Sequence, residues 1–422
     1  MDTTHWTQPQ VLSQSDDGFG STFNLNKWNN TLAAFSADRH SLTVYLLQAD
    51  GKMWKETAGS QTDLPFFFCD PVSPRCVLCQ TAGLGTKLIV DFSVGSIDNA
   101  GALAVSSKQS WQTDKDAFFV PTGGNVSFGG WKNIAATQPF PGGRVDGHAI
   151  YAPYCIRGET TEAVGLIASK GPFDNGVFYS LDDGRSWQRQ RISATTSVAP
   201  VVRKTAVFYY FLATVPEDHE LWFSRTPVDD NTWSEPATIT KQLGRSGFKA
   251  YSAATQDDTI HVCWADRRHE KRRADLLHPW RENFEIAYSH RKDSDAGWSK
   301  EIIVSKGLLY AYHPSISVEG SRVVIVWSGI QHASDGHSLW SPNEVFFVTS
   351  KDAGKTWTEP LAVTDNARAG LADGKPEVEL LNGVIHLCYI QGKLRSNQVM
   401  PGLRLLNQPP WPIYYQQRPF PN

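Results

Sequence analysis

The chain has 422 residues, a net charge of −3, 12% aromatic residues with 15 Trp, and only 3 Met. That length buries a large core, the near-balanced charge offers no basic surface to nucleic acid or to an anionic membrane, and no apolar run reaches the roughly 18 residues of a membrane helix. Six Cys are too few to staple a chain this long.

The N-terminus, Met1-Asp2-Thr3-Thr4-His5-Trp6, is polar from its first residue, with no signal peptide. The expectation is a secreted protein in its mature form, with a cytoplasmic one as the alternative. Trp6 begins a strand with no turn motif before it. Gln48 to Trp54 then reads as a turn into a strand, keeping Asp50, Gly51 and Trp54. Cys69 and Cys76 flank a short loop. The spacing of Cys76 and Cys79 lacks the second pair a zinc site needs. Ser106 to Trp111 is the weakest of the turn units. Gly143 to His148 carries Arg144 and His148 into an inner strand. Ser180-Leu181-Asp182-Asp183-Gly184-Arg185-Ser186-Trp187 is a full strand, turn, strand motif. Its Asp caps the turn and its Gly supplies positive φ.

Further on, Arg203 follows Pro200, and Tyr209 and Tyr210 lie in an inner or second strand. Ser224 to Trp233 is a partial turn unit, and Lys249 and Tyr251 start another inner strand. Two strands, Ile260–Trp264 and Phe284–Tyr288, bracket a long loop that includes Arg267, Arg268 and Trp280. A unit from Ser289 to Trp298 precedes Tyr312 and His313. Val323–Trp327 and Glu344–Val348 bracket a second long loop with Trp340. Ser350-Lys351-Asp352-Ala353-Gly354-Lys355-Thr356-Trp357 repeats the full motif. Asp373 to Leu381, with Lys375, is an inner strand, and Val384 to Tyr389 follows it. Cys263 and Cys388 fall in apolar strand patterns and read as buried thiols, and His261 and His386 read as ordinary mid-strand positions.

Trp6, Trp54, Trp111, Trp187, Trp233, Trp298 and Trp357 recur at 46 to 76 residues. A period of that size marks a repeat architecture. Trp6, Trp233 and Trp357 each open a W-[ST]-x-P run. The two full copies of S-x-D-x-G-x-[ST]-W resemble the Asp-box repeat of the sialidase-like β-propellers. The resemblance covers most of the chain through its repeats. It implies an all-β fold, a seven-bladed β-propeller with six blades as the alternative. It implies one domain over residues 1–422, with the N-terminal strand completing the last blade. It also implies that the box is a structural hairpin away from the active site.

True sialidases carry an Arg-Ile-Pro motif, and none occurs in this sequence. The chain is more similar in kind to the propeller polysaccharide lyases that act next to uronic acids, of the rhamnose–glucuronate or ulvan type. Such an enzyme needs a cation for the carboxylate, a base for the C5 proton and an acid for the leaving oxygen. The candidates for catalysis are His148, His313, Tyr251 and Tyr210. Those for substrate binding are Arg144, Arg203, Arg267, Arg268 and Lys375, with Trp280 and Trp340 for stacking on sugar. No metal ligand set and no required cofactor is expected, and a structural Ca²⁺ on the axis is left open. The expected partner is an acidic poly- or oligosaccharide, met by a monomer. An exo-glycoside hydrolase, which needs two carboxylates across the scissile bond, and a non-catalytic propeller lectin are the alternatives.

Overall fold

The computed structural model describes residues 5–13, 22–28, 31–37, 41–48, 53–59, 68–71, 76–79, 86–97, 103–113, 119–121, 131–133, 150–157, 162–169, 175–180, 188–190, 198–215, 220–228, 230, 234–239, 246–266, 284–331, 344–365, 371–393 and 412–421. Over 13, 22–202, 213–215, 246–250, 309, 331, 371–373 and 393 it describes the backbone alone, apart from Leu25, Leu32 and Tyr45.

Every element among the described residues is a β-strand. β1 is Gln10–Ser13. β2 Thr22–Trp28, β3 Thr31–Ala37, β4 Ser41–Gln48 and β5 Met53–Gly59 form one sheet. β6 Phe68–Pro71, β7 Cys76–Cys79, β8 Thr86–Ile97 and β9 Leu103–Thr113 form the next, and β10 Phe119–Pro121 pairs with β11 Trp131–Asn133 alone. β12 Ile150–Arg157, β13 Glu162–Ser169, β14 Asn175–Ser180 and β15 Gln188–Gln190 follow. Then come β16 Val198–Lys204, β17 Phe208–Val215, β18 Glu220–Pro227 and β19 Ala237–Thr238. The next sheet is β20 Ser246–Gln256, β21 Thr259–Asp266, β22 Glu285–Lys292 and β23 Ile302–Ile303. After it stand β24 Leu308–Glu319, β25 Arg322–Gln331, β26 Glu344–Ser350 and β27 Leu361–Ala362. The last is β28 Leu371–Leu381, β29 Val384–Lys393 and β30 Ile413–Pro419, whose fourth strand is the N-terminal β1. Pairing within these sheets is antiparallel, strand beside consecutive strand. Local turns suffice to build each one.

Burial is graded across a sheet. β21 is buried at every position, and so is β26, whose two faces meet different apolar layers. The fourth strands β19, β23 and β27 are two residues long, and Leu361 and Ala362 are exposed. A short outer strand offers little edge for pairing with another chain.

The chain divides into two compact units. The first holds Met1–Ser36, Tyr45–Trp54 and Thr240–Asn422. There the sheets stack face to face. Cys263, Ile286 and Tyr288 meet Ile316, Ile325, Trp327 and Phe346 in one apolar layer. Val324, Val326 and Phe347 meet Val378, Leu380, Leu387 and Tyr389 in the next. Leu381, Cys388 and Ile413 meet Leu12, Leu25, Leu32 and Tyr45 in a third. The second unit, Ala37–Val44 and Lys55–Ile239, packs β12 against β6 and against β16.

Local chemistry fixes these parts. In the turn after β26 the Ser350 hydroxyl donates to Asp352 Oδ1 (2.8 Å) and accepts the Gly354 N–H (2.9 Å). Asp352 accepts the Thr356 N–H (2.8 Å) and hydroxyl (2.6 Å). Gly354 has φ 86°. The Trp357 indole N–H returns to the Gly354 carbonyl (3.1 Å), and its ring lies edge-on to Tyr288 of the preceding sheet, 4.8 Å between centroids. The box is therefore a turn and also a joint between sheets. The residue after four of the marker Trp, namely Trp6, Trp233, Trp298 and Trp357, has one repeated task. Side-chain oxygens of Thr7, Ser234, Ser299 and Thr358 accept the N–H of Gln417, Arg225, His290 and Thr349, each on a third strand, at 3.0–3.1 Å. β14 and β15 bracket the second full box, of which 181–187 lie outside the described residues.

The first strand of a sheet has one edge without a partner strand, and serines cover it. Ser252 accepts the Ile316 N–H (3.3 Å), Ser315 the Val378 N–H (3.1 Å) and Ser317 the Leu380 N–H (2.9 Å). These bonds also align β20, β24 and β28 residue by residue.

Candidate functional site

The first strands of five sheets share a defect. Pairing of β16 with β17 slips between Val198 and Val201, of β24 with β25 between Tyr312 and Ser315, and of β28 with β29 between Gly374 and Glu377. β12 slips between Tyr151 and Pro153, and β20 between Ser246 and Tyr251. Four of these bulges hold an X-Pro pair: Ala152-Pro153, Ala199-Pro200, His313-Pro314 and Lys375-Pro376. Proline suits a bulge because no ladder partner needs its missing N–H. The serine alignment puts Ala250 at the corresponding place in β20. This bulge position thus reads Ala152, Ala199, Ala250, His313, Lys375 along the chain, with a proline after each except Ala250.

At the last two of these positions the backbone is left-handed, with φ 53° at His313 and 46° at Lys375. Among the described residues the other non-glycine ones with positive φ, Asp257, Ala353 and Asn382, sit in tight turns. A bulky residue ahead of proline is driven toward extended backbone, so a left-handed one is held there by its surroundings. Strain of this kind, roughly 1–3 kcal/mol per residue, gathers at functional sites. β24 packs against β28, which sets the two bulges side by side.

His313 is half-buried and meets Tyr312 edge-on, 4.6 Å between ring centroids. Burial pushes its imidazole down to about 4, and the Lys375 charge adds to the shift. It is therefore neutral near pH 7, with a lone pair available as a base. Lys375 stays exposed; loss of surrounding water lowers its ammonium, and Glu377 pulls it back up. Glu377 accepts the Ser315 hydroxyl at 3.3 Å. Phe284, Tyr310 and Tyr312 stand before His313 as a half-buried aromatic group, Phe284 and Tyr312 at 5.0 Å and Tyr310 and Tyr312 at 6.0 Å. The Phe284 carbonyl accepts the Ala311 N–H (2.9 Å), which ties this segment to the preceding sheet.

The other candidates fall as follows. Tyr251 leaves the β20 bulge opposite Trp264 and is 9% exposed. Arg203 lies on β16 opposite Tyr210, past the bulge, and Tyr210 is fully buried with Arg225 Nη1 3.4 Å from its hydroxyl. His148, Arg144, Arg267, Arg268, Trp280 and Trp340 lie outside the described residues. Asp266, at the root of the first long loop, accepts the Trp264 indole N–H at 2.8 Å. The mid-strand histidines are structural, with a 2.7 Å bond between His261 Nδ1 and the Tyr288 hydroxyl and another between His386 Nδ1 and the Tyr415 hydroxyl. Cys263 and Cys388 are buried free thiols. Among the described residues no group of three or more His, Cys, Asp or Glu could hold a metal ion. The sequence reading missed Phe284 and Tyr310. The signal was the alternation Tyr310-Ala311-Tyr312 directly before His313-Pro314.

No family model matches the chain, and no curated protein matches it by sequence. Among solved structures it is similar to the polysaccharide lyase Uly1, with a TM-score of 0.51 at 9% identity over 100% of this chain and 93% of that one. It is also similar to a Trypanosoma rangeli sialidase in complex with sialic acid, with a TM-score of 0.44 at 10% identity over 97% of this chain and 54% of that one. At such identities the likeness speaks for fold alone, and only the lyase, above a TM-score of 0.5, carries it.

Proposed function

We propose that the chain is a carbohydrate-active enzyme on a seven-bladed propeller, cleaving an acidic, uronate-containing glycan by β-elimination. Seven four-stranded sheets among the described residues support the blade count, and the pairing of β1 with β30 supports a last blade completed by the N-terminal strand. One observation carries the function: five inner strands share a bulge, and the equivalent bulge position, ahead of a proline in four of them, is Ala in three strands, His in the fourth and Lys in the fifth. A lectin built on repetition would repeat its binding residue. This chain instead gathers a neutral imidazole and a cation on two neighbouring strands, which suits one catalytic site.

In the proposed reaction Lys375 receives the uronate carboxylate and makes the C5 proton more acidic. His313 takes that proton, and the electron pair forms the C4–C5 double bond as the C4–O bond breaks. Tyr251, on the adjoining inner strand, gives its proton to the departing oxygen. Arg267 and Arg268 enter as further carboxylate ligands, and Phe284, Tyr310 and Tyr312 as a stacking surface for sugar. The test is absorbance near 235 nm, where an unsaturated uronate absorbs, during incubation with glucuronate-containing polysaccharides. A rise lost in His313→Gln supports the reading. Release of reducing sugar with no rise at 235 nm overturns it in favour of hydrolysis.

A further inference from the structure

The paired bulges carry a consequence for how the base is controlled. His313 and Lys375 hold the same position on adjacent packed strands, each left-handed, each ahead of a proline. The strands are locked at that level by two bonds from one serine: the Ser315 hydroxyl donates to Glu377 and accepts the Val378 N–H. These bonds hold the two bulges at the same level.

We propose that Lys375 and His313 form one coupled uronate site, in which a ligand carboxylate seated on Lys375 activates His313 as the base. This rests on the uronate reading above and adds a means of regulation to it. The electrostatics agree. Lys375 of β28 is the charged group that bears on His313, Glu377 of the same strand bears on Lys375, and Tyr251 is the ionisable residue at the matching level of β20. Among the described residues Glu377 is the acidic group of this cluster. Burial, with the Lys375 charge added to it, holds the His313 imidazole below the range in which it acts as an efficient base. An anion on Lys375 cancels the charge that adds to the effect of burial, so the imidazole gains basicity when the site is filled. By linkage, binding of the anion draws a proton to the protein.

The test follows the His313 ring by NMR in the full chain, with histidine labelled, titrated alone, with D-glucuronate and with glucose. Glucuronate is expected to raise the His313 midpoint by about one pH unit or more, and glucose to leave it unchanged. In Lys375→Met the midpoint starts higher and ignores glucuronate, while Lys375→Arg, which keeps the charge and serves if the Met variant fails to fold, retains the response. Proton uptake on glucuronate binding, measured by calorimetry in two buffers of different ionisation enthalpy, gives a second readout. A His313 midpoint that glucuronate does not move, or no glucuronate binding at all, overturns the coupling. The outcomes separate from those of the reaction: a rise at 235 nm with an unmoved midpoint sinks the coupling alone, and a moved midpoint with no such rise sinks the elimination alone.

Discussion

Replacing Gly354 by Ala tests whether the box turn is a joint between sheets as well as a hairpin. A Cβ on Gly354 would stand 1.9 Å from the Tyr288 hydroxyl oxygen and 2.4 Å from the ring carbon that bears it. Tyr288 cannot yield cheaply. It is fully buried, bonded to His261 at 2.7 Å and packed edge-on to Trp357. The φ of 86° adds a separate penalty, about 1–2 kcal/mol for a residue with a Cβ in left-handed backbone. Forcing extra volume into a packed site adds about 1–3 kcal/mol. The sum is about 2–5 kcal/mol. Gly307, with φ 81° and nothing within 4 Å of its absent Cβ, isolates the backbone share. Gly307→Ala is expected to lose only about 1–2 kcal/mol. The assay is urea unfolding followed by circular dichroism, comparing midpoints and slopes of the two variants. If Gly354→Ala unfolds no more easily than Gly307→Ala, the turn does not press on Tyr288 and the joint is not real.

Acid should weaken the fold through His261 and His386. Their imidazoles are held down to about 3 and about 4, in both chiefly by burial, against 6.5 for a free imidazole. Stability is complete above pH 6.5 and is lost as pH falls through those values, because the unfolded chain takes up the protons first. At roughly 1.4 kcal/mol per unit, each histidine accounts for about 3–5 kcal/mol at full titration. His386→Gln should flatten the fall in unfolding midpoint between pH 6.5 and pH 4; an unchanged slope refutes the assignment. Thr358→Val removes the acceptor of the Thr349 N–H and should lower stability by about 1–3 kcal/mol, read as a lower urea midpoint at constant slope. Lys375→Met should raise KM for an acidic glycan at least tenfold, and an unchanged KM would remove Lys375 from the binding site.

Much of the fold was legible because its signals are local. Ser350, Asp352, Gly354 and Thr356 satisfy one another within seven residues, so the turn can be read without its surroundings. The strands on both sides of each long loop were legible from apolar runs such as Val323 to Trp327. Trp357 was legible as an apolar anchor, but its partner Tyr288 lies far back in the chain, and only packing reveals the pair. The site was less legible. His313 and Lys375 were named as polar groups at the starts of inner strands, among many others. Their left-handed backbone and their equivalence depend on register, which hydrogen bonds between strands fix and composition does not. Tyr210 illustrates the reverse. A tyrosine in a strand can face a site or a core, and burial places this one in the core, with its hydroxyl near Arg225.

In the proposed elimination His313 removes a proton next to a uronate carboxylate held by Lys375. The most direct measurement is the initial rate at 235 nm on a glucuronate-containing polysaccharide for the wild type, His313→Gln and Lys375→Met, each shown by circular dichroism to be folded. The wild type is expected to show a rise, His313→Gln a loss of at least a hundredfold, and Lys375→Met a rate that recovers only at high substrate. A folded His313→Gln variant that eliminates as fast as the wild type would contradict that role of His313.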